Sequence, residues 1–430
     1  MRRADRSTRV WRVGMLLGLA LAGAVGLGAT EPASGAATLE IRIVPADFLV
    51  ANTARHVGLG YQGTSPYYDL VLQAIYFINR GDAPLTIEGG SIEVLAGGAV
   101  VQTTAISMAE VARTQQQAAA LAGMGFESAL LVLYASDSAL PDGYAFSPTP
   151  VLAPRTAGLV DDYYVIVRSL PEEVRVTIRA RDADGREVIA HASSPVRSYE
   201  SPNDYILPVE PGHWYLQAYP GLEGHHRWSA LTEHAWDITR VDERGSWAAG
   251  EPDAWRTGRV GAWSDWHAYG AKVLAAADGT VIKVVDDVAF PLERWNRQDG
   301  ESSEDYRARL DRQQLELFTA PGADPAAVAG GNHVMIEHAG GEVSYYAHLA
   351  HGSIVVAVGD RVRQGQHIAG LGGTGEAPMV HLHFQVMDRA ALAGARTLPV
   401  RFANVEANQP WADDFAPDLV FQPGVFVHAE

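Results

Sequence analysis

The sequence predicts a mainly-β protein made of two antiparallel units with a few inserted helices. Short runs that alternate apolar and polar residues recur along most of the chain, and turn residues such as Gly-Gly and Asp-Gly separate them. Two stretches have a helical composition instead. At 430 residues the chain exceeds the usual size of one domain, so we expect two folded units after a short N-terminal segment.

The composition excludes several classes of partner and site. Hydrophobic residues make up 47% and charged residues 20% of the chain, which is typical of a globular protein. The net charge of -18 argues against a nucleic-acid partner or an anionic membrane surface, because both favour clustered Lys and Arg. The absence of cysteine excludes disulfides, thiolate zinc ligands and cysteine nucleophiles.

Residues 1–36 have the pattern of a secretory signal peptide. An arginine-rich start precedes an apolar run, and Ser34-Gly35-Ala36 fits a cleavage site. The pattern predicts export to the periplasm or the cell exterior, with no membrane association once the signal is removed. The alternative is an uncleaved signal anchor, because the apolar run is almost long enough to span a bilayer.

Residues 37–208 are predicted to form an accessory domain resembling an antiparallel β-sandwich. Alternating runs such as TLEIRIVP, GSIEVLAGGAVV and EEVRVTIRARDADGREVIAHA support this prediction. The stretch from Ser107 to Met124 is rich in Ala and Gln with no early Gly or Pro, which predicts an inserted helix. This half carries no nucleophile, phosphate-loop or metal-ligand pattern, so we expect a supporting or binding role.

Residues 209–430 are predicted to form the second β-rich unit. Its strands are expected in GAKVLAAADGTVIKVVDD, GNHVMIEHAGGEVSYYAHLA and VHLHFQVMD. Between the first two runs, residues 300–329 read as a charged helical insertion followed by a flexible stretch. One hypothesis is that this insertion covers a site.

The second unit holds most of the histidines, and two of them lie in VHLHFQVMD. A strand directs successive side chains to opposite faces, so His381 and His383 share one face while Leu382 and Phe384 point towards a core. A hydrolytic zinc site uses three protein ligands, usually His nitrogen and carboxylate oxygen, and keeps one position for water. Two adjacent imidazoles can contribute to such a site. The alternative is a pair of buried histidines with satisfied hydrogen bonds.

Four blocks make the pattern more specific. GAKVLAAADGTVIKVV, GNHVMIEHAGGEVSYYAHL, VAVGDRVRQGQHIAGLGGTG and HLHF occur in this order. Together they resemble the core of the lysostaphin-like zinc metallopeptidases, also called LytM-like or duplicated-hairpin peptidases. The resemblance covers about residues 221–388. Many members of that family cut peptide cross-bridges of bacterial cell walls, so the resemblance implies a C-terminal antiparallel β-sheet peptidase domain.

The resemblance also implies a ligand set for one Zn²⁺ per chain. His383 matches the second histidine of the family's HxH motif, and Asp237 in HAWDIT matches its aspartate ligand. The family's commonest spacing would put the upstream histidine at position 233, where this chain has Glu233. The His-Arg pair in GHHRWSALTEHAWDITRVD favours His226 for this role, with His225 and His234 as alternatives.

Two further histidines match the family's catalytic positions. His348 in YYAHL and His381, the first histidine of HxH, stand beside the metal in the resemblance without binding it. The implied mechanism is attack by a zinc-bound water, with one imidazole accepting its proton or stabilising the oxyanion. Histidine suits this role because its ordinary pKa lies near the working pH. His333 and His338 match structural positions, whereas His351 and His367 lie in turn segments and are expected to face solvent.

The resulting hypothesis is a secreted zinc endopeptidase that hydrolyses peptide cross-bridges of peptidoglycan. An exported protein is the other substrate considered. The alternative function is a catalytically inactive scaffold that binds cell wall or activates a separate hydrolase. The aromatic segment WSDWHAYG, from Trp263 to Gly270, flanks the predicted site and is equally compatible with a substrate wall or with packing anchors.

Overall fold

The computed structural model describes residues 38–51, 68–123, 141, 143–218, 226, 231–249, 261–289, 292–319, 325–392, 395–407 and 425–429. The predicted signal segment therefore lies outside the described residues. Within the described part, the mainly-β prediction is confirmed. No helix among the described residues is long and apolar enough to cross a membrane.

The first half of the chain forms two facing sheets. One sheet has the order β1-β3-β8-β6 and the other β2-β10-β9-β4-β5, with β7 paired to β4. The strands are β1 Leu39–Val44, β2 Phe48–Ala51, β3 Tyr68–Asn79, β4 Leu85–Ala96, β5 Ala99–Ile106, β6 Ala145–Phe146, β7 Val151–Leu152, β8 Thr156–Val167, β9 Glu173–Asp182 and β10 Glu187–Tyr199.

The two sheets pack around one apolar core, as a sandwich requires. Alternate residues of β3 and β9, such as Leu70, Leu72, Val176 and Ile178, are buried between them. The pairings are antiparallel except for β2 with β10 and β6 with β8, which are parallel. The predicted sandwich is therefore present, with two short parallel strands at its edges.

Helix α1 (Met108–Gly123) occupies the stretch that composition predicted to be helical. Ser107 precedes it and exchanges hydrogen bonds with Glu110, which forms a capping box at the helix start. Ala118 packs with Tyr76 and Ala157 on the outer face of the sheet that contains β3 and β8. The helix therefore covers one outer face of the sandwich.

The second half is organised by a nine-stranded sheet with the order β17-β14-β15-β16-β19-β12-β11-β21-β20, and β13 and β18 form a separate pair. The strands are β11 Gly212–Ala218, β12 Trp236–Arg240, β13 Lys272–Leu274, β14 Gly279–Val285, β15 Asn332–Glu337, β16 Val343–Leu349, β17 Arg361–Val362, β18 His367–Gly370, β19 Leu382–Met387, β20 Val405–Ala407 and β21 Val425–Ala429. The described pairings within this sheet are all antiparallel. Strand β19 lies between β16 and β12, near the middle of the sheet.

The insertion between β14 and β15 contains two helices, α2 (Ser303–Thr319) and α3 (Pro325–Gly330). Leu310 of α2 is buried and joins the core of the second half. Arg309 binds Glu301 at 2.8 Å, which fastens the residues just before α2 to that helix. The helical prediction is correct, whereas the end of the stretch expected to be flexible is the helix α3.

A buried carboxylate joins the two halves. Glu342, at the start of the β16 hairpin, is 2% exposed and accepts hydrogen bonds from the hydroxyls of Tyr199, Ser201 and Tyr205 and from the Asn203 amide. Those four donors belong to the end of β10 and the segment that follows it. The segment that connects the halves is thus tied to the second sheet by one side chain.

We predict that Glu342→Ala lowers the free energy of unfolding by about 3 kcal/mol, because the substitution removes a charged acceptor from the buried Tyr205 hydroxyl and from three half-buried donors. Urea denaturation would measure the change. Glu337→Ala is the matched control, since Glu337 is exposed on the neighbouring strand β15. Equal stability of the Glu342 variant and the control would contradict the assigned role of this carboxylate.

Candidate metal centre

The site lies where β12, β19 and β16 run side by side. Asp237 of β12 pairs with His383 of β19, and His383 pairs on its other side with Ala347 of β16. Residues directly opposite each other in a sheet share a face, so Asp237 and His383 project together. His381 lies two residues before His383 and is directed to the same face, as the strand period predicts.

Three side chains converge into one group with potential metal-ligand atoms. One ligand atom from each of His226, Asp237 and His383 lies within 4.8 Å of the other two. His226 Nε2 is 3.0 Å from Asp237 Oδ2, and His383 Nδ1 is 3.1 Å from Asp237 Oδ1. Asp237 is only 2% exposed. The upstream histidine that the structure brings to Asp237 is therefore His226.

The donor set of this group fits a zinc ion. Both ring nitrogens of His383 face an oxygen, because Nε2 lies 2.9 Å from Gln385 Oε1 while Nδ1 faces Asp237. A neutral imidazole carries one N–H, and the amide oxygen can only accept. With that proton on Nε2, a lone pair on Nδ1 meets the carboxylate, an arrangement that a cation between them stabilises. Two imidazoles and one carboxylate are also a common protein ligand set of hydrolytic zinc.

A β-bulge directs His348 to the same place. Between β15 and β16 the pairing shifts from Asn332↔Leu349 to Val334↔Tyr346, so β16 holds an extra residue there. His348 lies in this bulge with φ of 63°, a conformation that non-glycine residues rarely adopt. Its ring centroid is 4.6 Å from that of His381 and 5.9 Å from that of His383. The bulge therefore adds an imidazole that regular strand alternation would direct elsewhere.

Backbone carbonyls hold the rings of His348 and His381. The Nδ1 atom of His348 lies 2.8 Å from the Thr374 carbonyl oxygen, and that of His381 lies 3.0 Å from the Met379 carbonyl oxygen. A carbonyl can only accept, so each Nδ1 carries the proton. In the neutral form each ring then has its lone pair on Nε2, which is the nitrogen available for proton transfer.

The surroundings move the pKa values of these two rings in opposite directions. Burial lowers the pKa of His348 well below its ordinary value, and the neighbouring His381 and His383 lower it further. Burial would also lower the pKa of His381, but the Asp237 carboxylate 3.5 Å away more than offsets it, so the net shift is upward. The pKa of His348 is therefore lowered while that of the neighbouring His381 is raised.

The remaining candidate histidines lie apart from this group. The backbone N–H of His234 donates to Thr397 Oγ1, and His234 Nε2 is 4.0 Å from Glu233. His225 lies outside the described residues. His333 contacts the Gly331 carbonyl through Nδ1 and His338 contacts Ser344 and the Asp278 carbonyl, as scaffold residues do, whereas His351 and His367 are exposed.

The aromatic segment from Trp263 to Gly270 contains one buried and two more exposed aromatic side chains. Trp266 is 5% exposed and belongs to the core, so it is a packing anchor. Trp263 lies parallel to Tyr269, which is 43% exposed, and its indole contacts Gly373 closely enough to exclude any larger side chain there. Trp263 thus contacts the loop that carries Thr374, whose carbonyl accepts from His348.

Residues 322–394 match the model of Peptidase family M23. This part of the chain is therefore an M23 peptidase domain, which confirms the lysostaphin-like resemblance found in the sequence. The match includes His348, His381 and His383, whereas His226 and Asp237 lie upstream of it. The peptidoglycan DD-endopeptidase ShyC of Vibrio cholerae serotype O1 is 38% identical over 68 residues, which cover 16% of this chain and 15% of that protein.

Two solved structures illustrate the distant likeness in fold. The catalytic domain of lysostaphin from Staphylococcus simulans is 20% identical, with 32% of this chain and 80% of that chain covered and a TM-score of 0.19. The deep-sea M23 metalloprotease pseudoalterin is 12% identical, with 48% and 83% covered and a TM-score of 0.25. Because both TM-scores are this low, the assignment of residues 322–394 to Peptidase family M23 depends on the family match and not on these structures.

We predict that Gln385→Ala weakens binding of Zn²⁺ by about tenfold to hundredfold, the usual effect of removing a hydrogen-bond partner from a metal-binding histidine. Without the amide oxygen, the proton of His383 is free to move to Nδ1, where it competes with the metal. Competition with a chromophoric chelator would measure affinity. Gln385→Glu retains an acceptor and is expected to bind zinc well, and Gln366→Ala is an exposed control. Unchanged affinity in Gln385→Ala would contradict this role.

Proposed function

We propose that this protein is an exported zinc-dependent endopeptidase that hydrolyses peptide cross-bridges of bacterial peptidoglycan. The observation that carries the proposal is the convergence of His226, Asp237 and His383 next to two further imidazoles, those of His348 and His381. Ligand and proton-transfer groups are thus present together, within and beside a segment of Peptidase family M23. In this proposal, residues 1–36 direct export and residues 37–208 position or restrict the substrate groove.

His226, Asp237 and His383 would hold one Zn²⁺. When bound, the zinc ion supplies Lewis-acid polarisation of the scissile carbonyl and activates a water for attack. The carboxylate supplies the negative charge of the ligand set, and Gln385 keeps the proton of His383 on Nε2 so that Nδ1 remains a ligand. Asp237 is buried, and an uncompensated buried carboxylate is costly, which further favours a cation partner.

His348 and His381 would divide the proton chemistry. His348 is neutral because its pKa is lowered, and Nε2 would accept a proton during attack because Nδ1–H is donated to Thr374. His381 has its Nδ1–H directed to the Met379 carbonyl, so its Nε2, when protonated, would donate a hydrogen bond to the developing oxyanion or a proton to the leaving amine.

The substrate class is supported by the relative that the chain matches. ShyC is a peptidoglycan DD-endopeptidase, and the aligned segment contains about a sixth of each chain. The alternative, an inactive scaffold, is disfavoured because the chain retains the proposed ligands and both further imidazoles. A peptidase that acts on exported proteins shares the same site chemistry and is separated from the proposal by substrate choice.

We predict about one zinc per chain in the purified mature protein, because a three-ligand site with an open position holds a single ion. Metal analysis after reconstitution would measure it. Asp237→Ala and His383→Ala are each expected to lose the zinc, whereas the exposed His351→Ala retains it as a control. A wild-type chain that binds cell wall but takes up no zinc would support the scaffold function instead.

We further predict that His348→Ala and His381→Ala keep zinc but slow hydrolysis by about 100-fold to 10,000-fold, the range for losing a general acid or base. The appearance of new amino groups in purified peptidoglycan would measure the rate, because each hydrolysed peptide bond leaves one amine, and His351→Ala again serves as control. Wild-type activity in either variant would remove that residue from the chemistry. If the protein leaves purified peptidoglycan intact but cleaves a glycine-rich peptide, its substrates would be exported proteins and not peptidoglycan.

A further inference from the structure

Two groups of one residue, the hydroxyl and the carbonyl of Thr374, make three hydrogen bonds to the bulge that contains His348 and to the strand beside it. The Thr374 hydroxyl donates to the Leu349 carbonyl at 2.7 Å and accepts from the Asn332 N–H at 2.9 Å. The Thr374 carbonyl accepts from His348 Nδ1 at 2.8 Å. Thr374 is 5% exposed, so water does not replace these bonds readily.

The hydroxyl contacts bridge the strands beside the bulge. Asn332 begins β15 and is paired with Leu349, the residue that follows His348 in β16. One hydroxyl therefore fastens both strands at the point where the regular pairing resumes. The positive φ of His348 is unfavourable for a side chain with a Cβ, and such strain persists only where surrounding contacts maintain it. The Thr374 hydroxyl provides two of those contacts.

The loop that carries Thr374 is itself held closely. The Gly372 N–H donates to the His348 carbonyl at 3.1 Å, and the Glu376 N–H donates to the Ala329 carbonyl at 2.8 Å. Gly331 has φ of 60°, and a Cβ there would lie 2.3 Å from the Thr374 carbonyl carbon. Backbone therefore lies against backbone, and the loop has little room to shift while these contacts remain.

Asn332, whose backbone N–H donates to Thr374, also binds the segment between β14 and β15. Its side-chain Oδ1 accepts from the Val288 N–H at 2.8 Å, and its Nδ2 donates to the Val288 carbonyl at 3.0 Å. Val288 lies at the start of the insertion that ends before β15. The two ends of the insertion are thus joined at the residue whose backbone N–H donates to Thr374.

We propose that Thr374 is a positioning residue for His348: its hydroxyl maintains the bulge, and its carbonyl fixes the imidazole with Nδ1 protonated and Nε2 available. The inference rests on the proposed function for its kinetic consequence, because His348 is assigned there as the proton acceptor. The tautomer of His348 is a property of the folded chain and does not depend on hydrolysis. The two parts are therefore measurable separately.

The test compares Thr374→Val, which keeps the shape but removes the hydroxyl, with Thr374→Ser, which keeps the hydroxyl. Nitrogen-15 NMR of the histidine-labelled full chain reports the tautomer, with the His348 signal assigned from His348→Gln. We expect the Nδ1–H tautomer in the wild type and in Thr374→Ser, and a mixture of tautomers in Thr374→Val. Thr114→Val is the matched control, because it removes another buried hydroxyl in α1, remote from His348 in the sequence.

In the kinetic arm, Thr374→Val is expected to lower kcat by about tenfold to hundredfold, as misplacement of a reacting group does. KM and zinc content should stay near wild type, because the substitution removes neither a zinc ligand nor a proposed substrate contact. Thr374→Ser should restore kcat. A wild-type tautomer with the proton on Nε2, or a Thr374→Val chain that keeps the Nδ1–H tautomer, would overturn the proposal.

The tautomer and kinetic measurements distinguish failure of the proposed function from failure of the positioning role of Thr374. A wild-type chain with no hydrolytic activity but with the expected tautomers would remove the proposed function and leave the positioning role of Thr374 intact. A Thr374→Val chain that loses kcat without any tautomer change would overturn positioning of the imidazole. If Thr374→Val does not fold, the wild-type tautomer still decides whether the Thr374 carbonyl holds the proton.

Discussion

The site depends on a single buried carboxylate. Asp237 lies in the middle of the nine-stranded sheet and faces the imidazoles of His226, His381 and His383 at 3.0 to 3.5 Å. A buried negative charge without compensation would destabilise the fold by several kcal/mol. The surrounding rings, and the metal ion that their donor set fits, therefore meet a requirement of folding as well as of chemistry. Stability and function are linked at this residue.

Strand pairing explains why this carboxylate meets these rings. Adjacent antiparallel strands fix which residues stand opposite each other, so the β12 to β19 register sets the approach of Asp237 to His383. Alternation then adds His381 on one side and Gln385 on the other. Neither strand register nor side-chain alternation explains the position of His348. Its position depends on a bulge and on the loop around Thr374, and it is therefore the member of the site most sensitive to contacts outside the sheet.

The sequence could predict the parts of the site that follow from periodicity. The shared face of His381 and His383 needed only the alternation of a strand, and the mainly-β class needed only the recurrent short runs. The resemblance then supplied Asp237 and His348. The choice among His225, His226 and His234 stayed open because the upstream histidine comes from a segment without strand period, whose path depends on tertiary contacts. The structure brings His226 to Asp237.

Two residues, Gln385 and Thr374, have roles that the sequence does not signal, for different reasons. Gln385 shares the face of His383 by the same alternation, so its position was predictable, but a neutral amide gives no chemical signal of a role beside a metal ligand. Thr374 acts through its backbone carbonyl as much as through its hydroxyl, and a carbonyl has no sequence signature. Residues that orient a site cannot be identified from the sequence where they act through a backbone group. They become visible only when donors and acceptors are followed outward from each ring, as the path from His348 through Thr374 to Asn332 shows.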